Sequence, residues 1–187
     1  MNGAPGSIRD AIAARRRFLL SSHARPDGDS IGSQLALAFA LRALGKQVRL
    51  VNRDPPPAAF SVFPGVADIE VAPRVEGEFD AAIVLESSDL ARTGVEGIER
   101  AFLINIDHHP GNTGYGAINW FDPGASACGE MVFALVQALG VTLSAEIATH
   151  LYLAILTDTG GFHFSNVTSR TFDICRQLVE AGADPEA

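Results

Sequence analysis

Long apolar runs are missing from this chain of 187 residues. No stretch approaches the roughly 18 consecutive apolar residues that a bilayer span needs, so no membrane span is expected. Cysteine is nearly absent. Cys128 and Cys175 stand far apart without metal-type spacing, which excludes a disulfide scaffold and a thiolate metal site. Two buried, inert thiols are expected instead. Lysine is reduced to Lys46, and the 14 basic residues form no block among 22 acidic ones, for a net charge of −8. A long electrostatic track for duplex nucleic acid is therefore excluded. A secretory leader would need a longer apolar stretch than residues 18–22 behind Arg15, Arg16 and Arg17. A helix end followed by a buried strand is expected there, in a cytoplasmic protein.

Hydrophobic residues make up 47% of the chain, enough for a sizeable core in one domain over residues 1–187. Short apolar runs at 18–22, 47–52, 81–85, 102–106 and 117–121 read as five strands. Runs that are apolar on both sides suit parallel strands covered on both faces. Helices are expected over 7–17, 31–44, 127–139, 145–156 and 169–181, with Gly45, Gly140 and Gly182 past three of their ends. Asp29 or Ser30 is expected to cap the second helix, Ser126 the third, Ser144 the fourth and Thr168 the fifth. Strands alternating with helices predict an α/β fold: an open parallel sheet of about five strands with helices on both faces, a three-layer, Rossmann-like architecture. Asp184-Pro185 reads as the start of a further helix, which leads to the expectation that more chain follows.

Chemistry-bearing residues concentrate in two places. His23-Ala-Arg-Pro-Asp27-Gly-Asp29-Ser30 packs an imidazole and two carboxylates into seven residues, and Asp107-His108-His109-Pro110 adds a carboxylate and two imidazoles. Ligands of open parallel sheets bind beyond the carboxyl ends of the strands. His23, Glu86 and Asp107 directly follow three predicted strands, and Asp158 closes the apolar segment 151–157. One polar group at a strand end is ordinary, but several on one edge point to a site for divalent cations bound by oxygen and nitrogen. Each residue alone has a plainer role: Asp27 and Asp29 as turn and cap, Asn112 as a turn former supporting the histidines, His163 as peripheral, and His150 as a surface partner of Glu146 four residues before it.

The order His23-x-x-x-Asp27-x-Asp29-x-x-Gly32-Ser33, Asp107-His108-His109, then Thr157-Asp158-Thr159-Gly160-Gly161-Phe162 resembles the successive motifs of the DHH phosphoesterase superfamily. Asp-His-His-Pro-Gly-Asn and Gly-Gly-Phe-x-Phe-Ser-Asn are most similar to its nanoRNase/pAp phosphatase group. The resemblance implies a phosphohydrolase acting on short oligoribonucleotides and adenosine 3′,5′-bisphosphate. It implies two Mn²⁺ ions, with Mg²⁺ or another divalent ion as an alternative. His23 and Asp27 would hold one ion. Asp29, His108 and Asp158 would hold the other, and Glu86 would bridge both. Asp107 would orient the imidazoles, His109 would act in catalysis and face the substrate phosphate, and Arg92 would bind phosphate. The family usually places Asp where this chain has Glu86, a carboxylate on a stem one methylene longer. Asp89 is a rival ligand three residues on. Partners implied are short single-stranded RNA or a nucleotide, and a homodimer is compatible. The family's C-terminal, glycine-rich substrate domain is absent from this chain, so metal binding with weak or absent turnover of oligonucleotides is expected. Cyclic dinucleotide phosphodiesterases, single-strand exonucleases and pyrophosphatases share the motif pattern, and a non-catalytic metal- or nucleotide-binding module remains the reading from another class.

Overall fold

A computed structural model describes residues 5–186. The elements run α1 (Pro5–Ala13), β1 (Arg17–Ser21), α2 (Gly28–Ala43), β2 (Gln47–Asn52), β3 (Ile69–Val71), β4 (Ala81–Leu85), β5 (Phe102–Asp107), β6 (Ile118–Phe121), α3 (Cys128–Ala138), α4 (Ala145–Asp158) and α5 (Ser169–Glu180). The six strands form one parallel sheet in the order β3-β2-β1-β4-β5-β6. The five expected strands are all present, and the count is six because β3 adds an edge strand of three residues. Only Ile69 of it is buried, so it offers neither the length nor the alternation that marks a strand in sequence.

Both faces of the sheet are covered, unequally. Phe18, Leu20, Ile83, Leu85, Ile104 and Ile106 point into the main core with the buried sides of α1 to α5. The alternate residues Leu19, Val51, Ala82 and Val84 face a smaller cluster closed by Val75, Val95 and Ile98. That second layer is built from loops and the short 3-10 turns Leu90–Thr93 and Ile98–Arg100. No helix among the described residues is long and apolar enough to cross a membrane.

α1 runs Pro5–Ala13 rather than 7–17, and two helix caps differ from the sequence expectation. α2 begins at Gly28, with Asp27 as its cap accepting from the Ser30 N–H at 2.9 Å. α3 has no side-chain cap of its own, and Ser126 Oγ donates instead to Glu130. The first N–H groups of α3 are accepted by Asp29, a residue 99 positions earlier. Ser144 and Thr168 cap α4 and α5 as expected. Asp184 accepts from the N–H of Glu186.

His150 is a correction. It is fully buried on α4, with Nδ1 donating to the Glu146 carbonyl at 2.6 Å and its ring against Phe39 and Phe63. The i,i+4 spacing with Glu146 looked like a surface pair, but it is the backbone of Glu146 that is bound. Burial lowers the pKa of His150 below its usual 6.5. A depressed folded pKa contributes stability that is present above the unfolded value and lost as pH falls through the folded one. Thermal unfolding at pH 7.5 and pH 5 is expected to show the wild type losing more stability than His150→Phe over that range. An equal loss in both proteins would contradict the burial argument.

Candidate metal centre

The sheet changes direction between β1 and β4, since β2 and β3 lie to one side and β5 and β6 to the other. A crevice opens at such a switch point beyond the carboxyl ends of the strands. His23 comes two residues after β1, Glu86 directly after β4, and His108 directly after β5. α2 and α4 complete the ring because their backbones approach closely. A Cβ on Gly28 would lie 2.4 Å from Thr157 Oγ1, and one on Gly32 would lie 2.4 Å from the His150 carbonyl. Only glycine lets the start of α2, with Asp27 and Asp29, reach the end of α4, with Asp158.

Six side chains meet there. Ligand atoms of His23, Asp27 and Glu86 all lie within 4.8 Å of one another, as do those of Asp29, His108 and Asp158. Glu86, His108 and His109 form a third such group. Either of the first two groups could hold a cation, and Glu86 stands between them. Asp89 is not among these groups; its carboxylate caps the turn Leu90–Thr93 through the Ala91 N–H.

Each imidazole is oriented by its far nitrogen. His23 Nδ1 donates to the Ala24 carbonyl at 2.8 Å, and His108 Nδ1 donates to the Ala125 carbonyl at 3.1 Å. Both rings therefore present Nε2 inward, the arrangement that prepares a histidine for a metal. His108 Nε2 lies 3.0 Å from Glu86 Oε1 and 3.5 Å from Asp158 Oδ2. In the neutral ring, with its proton on Nδ1, neither Nε2 nor Oε1 carries a hydrogen. Among the described residues neither buried atom has a hydrogen-bond partner other than the other. Two facing, desolvated lone pairs are costly, so a proton on Nε2 or a metal cation must lie between them.

Charge tells the same story. Burial alone would pull the His108 imidazolium down, but Glu86 and Asp29 outweigh it and hold its pKa at about 10. Burial and the charges of Glu86 and Asp27 push Asp158 up to about 6 against the pull of His108. Burial, then Glu86 and Asp158, lift Asp29 well above the carboxylate range. Without a cation His108 holds a second proton, on Nε2, near neutral pH, and cation binding would displace it. Asp27, at the open edge, is different: burial raises its pKa, but His23 and the Ser30 N–H prevail and set it at about 2.

The backbone is strained here. Glu86 has φ +58, a left-handed conformation uncommon for a residue with a long side chain. Asp29 is held by three donors: Ser33 Oγ at 2.8 Å, the Cys128 N–H at 2.6 Å and the Gly129 N–H at 3.0 Å. Asp107, fully buried, accepts from His109 Nδ1 at 2.9 Å and from Asn112 Nδ2 at 2.6 Å. It thus orients His109 alone, while His108 is oriented by backbone. Asn112 supports the histidine turn through that contact. Arg92 is exposed at the rim, where its Nη1 donates to Ser88 Oγ at 3.1 Å. His163 is exposed, and its Nδ1 donates to the carbonyls of Gly160 and Gly161.

Sequence reasoning missed several supporting groups. Ser30 Oγ donates to His23 Nε2 at 2.9 Å. Asn166 Nδ2 ties the Ser126 and Asp158 carbonyls together. Asn105, fully buried in the middle of β5, accepts from Asn112 and donates to Tyr115 Oη. An asparagine inside an apolar run was the available signal for the last. Cys128 and Cys175 are buried free thiols, as expected from their spacing.

The profile of the DHH family, N-terminal domain, matches residues 17–155. The chain belongs to this family. It is 38% identical over 165 residues to the bifunctional oligoribonuclease and PAP phosphatase NrnA of Thermus thermophilus, a match over 87% of this chain and 49% of that protein. It is 24% identical over 170 residues to the probable manganese-dependent inorganic pyrophosphatase of Enterococcus faecalis, over 88% of this chain and 55% of that protein. The crystal structure of an exopolyphosphatase-related protein from Bacteroides fragilis superposes on 97% of this DHH chain with a TM-score of 0.90 and 26% identity, using 57% of that structure. The chain spans about half the length of the curated relatives it matches.

Proposed function

We propose that this DHH domain is the catalytic part of a two-metal phosphohydrolase that cleaves phosphate esters of short oligoribonucleotides and of adenosine 3′,5′-bisphosphate. The buried approach of Glu86 Oε1 and His108 Nε2, 3.0 Å apart where three donor groups meet, carries the reading. In it His23, Asp27 and Glu86 hold one divalent cation, and Asp29, Glu86, His108 and Asp158 hold the other. Carboxylates with imidazoles suit manganese, and one relative's name states manganese dependence. Bound there, the cations supply Lewis acidity toward a phosphoryl oxygen and a lowered pKa for attacking water.

The chain's own residues do the rest. Asp107 accepts from His109 Nδ1, and this contact raises the pKa of the imidazole above its usual value. The contact favours the imidazolium form of His109, whose Nε2 proton would neutralise phosphoryl charge and pass to the leaving oxygen. Asn112 holds the other oxygen of Asp107, which keeps the carboxylate from rotating. In this reading the cytoplasmic enzyme draws its remaining substrate contacts from a second domain, since the oligoribonuclease relatives are about twice as long as the matched stretch.

Assaying adenosine 3′,5′-bisphosphate, a diribonucleotide, cyclic di-AMP and pyrophosphate side by side with Mn²⁺ tests the proposal. Slow, metal-dependent turnover of the first two above the others is expected. Preference for pyrophosphate would move the assignment within the family. Bound metal without turnover of any of them, or of a generic phosphodiester, would favour a non-catalytic module.

A further inference from the structure

Most arginines of this chain lie within ion-pair distance of a carboxylate. Arg15, Arg16, Arg25, Arg53 and Arg92 do not, among the described residues; the first two flank the start of β1 at the far edge of the sheet, and the last three are exposed. These three stand on the loops after β1, β2 and β4, at the same carboxyl edge as the metal centre. The loops are tied together. The Ala24 N–H donates to the Arg92 carbonyl at 2.7 Å, and the Arg25 N–H donates to Asp54 Oδ2 at 2.8 Å. The stem of Arg53 lies over Gly94, where an added Cβ would come within 3.0 Å of its Cγ. Nearby acids are already engaged: Asp54 with the Arg25 N–H, and Asp89 with the Ala91 N–H and Thr113 Oγ1.

Arg25 carries a second mark. It has φ +55, a conformation that glycine or asparagine adopts at less cost. It sits between His23 and Asp27, whose ligand atoms reach Glu86. A strained, unpaired arginine inside the loop that carries two candidate ligands is poised for an anion from outside. Guanidinium groups suit phosphate because their N–H forks match its oxygens.

We infer that Arg25 and Arg53 form, beside Arg92, a subsite for a second phosphate of the substrate, adjacent to the one held at the metal centre. This rests on the proposed phosphohydrolase function. It makes the preferred substrate class a nucleotide bearing a terminal phosphate in addition to the scissile one. The subsite lies on the DHH domain itself, so it operates in the chain as it stands.

Binding of phosphorothioate-linked diadenylates, with a 5′-phosphate, a 3′-phosphate or neither, tests the subsite by calorimetry with Mn²⁺. One terminally phosphorylated form should bind wild type about tenfold more tightly than the unphosphorylated form, a modest ratio because the arginines are exposed. In Arg25→Asn/Arg53→Gln the ratio should fall below about twofold, with the Mn²⁺ count and thermal midpoint kept. Asparagine accepts the left-handed backbone, so the variant folds. Each single substitution should give an intermediate ratio. A ratio that persists in the double variant overturns the subsite, as does a wild type that holds Mn²⁺ without discriminating among the three forms. A wild type that takes up no Mn²⁺ overturns the phosphohydrolase reading itself, and the subsite with it.

Discussion

Asp29→Ala is expected to remove one of two bound Mn²⁺ ions and to lower phosphodiester hydrolysis by more than about 100-fold, a loss that even the outer partners of metal ligands reach. Asp29 combines two jobs that are usually separate. Its carboxylate faces His108 and Asp158 in the donor cluster. The same oxygens cap α3 through the N–H groups of Cys128 and Gly129. Alanine leaves those two buried donors unsatisfied, at a cost of about 1–3 kcal/mol each. It also removes a buried carboxylate whose pKa is raised by burial and by Glu86 and Asp158, which offsets part of the loss in the metal-free protein. The decisive difference therefore lies with the metal: Mn²⁺ should raise the thermal midpoint of the wild type strongly and of the variant much less. Asp29→Asn keeps the shape and one acceptor, so it should fold better than the alanine variant yet bind metal as poorly. Undiminished two-ion stoichiometry in both variants would remove Asp29 from the ligand set.

His109→Ala is expected to lower the same hydrolysis by about 10²–10⁴-fold while both Mn²⁺ ions stay bound. His109 is about a third exposed, the most open of the three clustered imidazoles, whereas His108 is mostly buried. Its Nδ1 is taken by Asp107, so Nε2 is the nitrogen available to substrate. Asp107→Asn should reproduce part of the loss and move the alkaline limb of the pH–rate profile to lower pH, because the imidazolium loses the contact that raises its pKa. A metal count that falls in His109→Ala would instead put His109 in the group with Glu86 and His108 that is also close enough to hold a cation.

How much of this was legible depended on sequence distance. His23, Glu86 and Asp107 could be set on one edge because each directly follows an apolar run, and the edge rule of parallel sheets joins strand ends without knowing their packing; the ligand roles of Asp27, Asp29 and His108 came from the family motifs. Asp158 followed from its motif. The rest depends on tertiary contacts. The cap on α3 comes from a residue 99 positions away, and no local pattern reports such a pairing. Burial of His150 follows from Phe39 on α2 and Phe63 in the loop after β2 closing over it, against a spacing that suggests a solvated pair. β3 is too short to announce itself, and the second layer has 3-10 turns where its apolar residues are too few for an α-helix. The close approach of α2 to α4 was hidden in Gly28 and Gly32, which in sequence are turn and motif residues; the need for glycine at 32 comes from the His150 carbonyl against the helix.

Anomalous diffraction at the manganese edge, from crystals of the wild-type chain grown with Mn²⁺, tests the shared cation site most directly. Two peaks about 3.5–4 Å apart are predicted, one among His23, Asp27 and Glu86 and one among Asp29, Glu86, His108 and Asp158. No peak in this cluster, or a lone peak held by Glu86, His108 and His109, would contradict it.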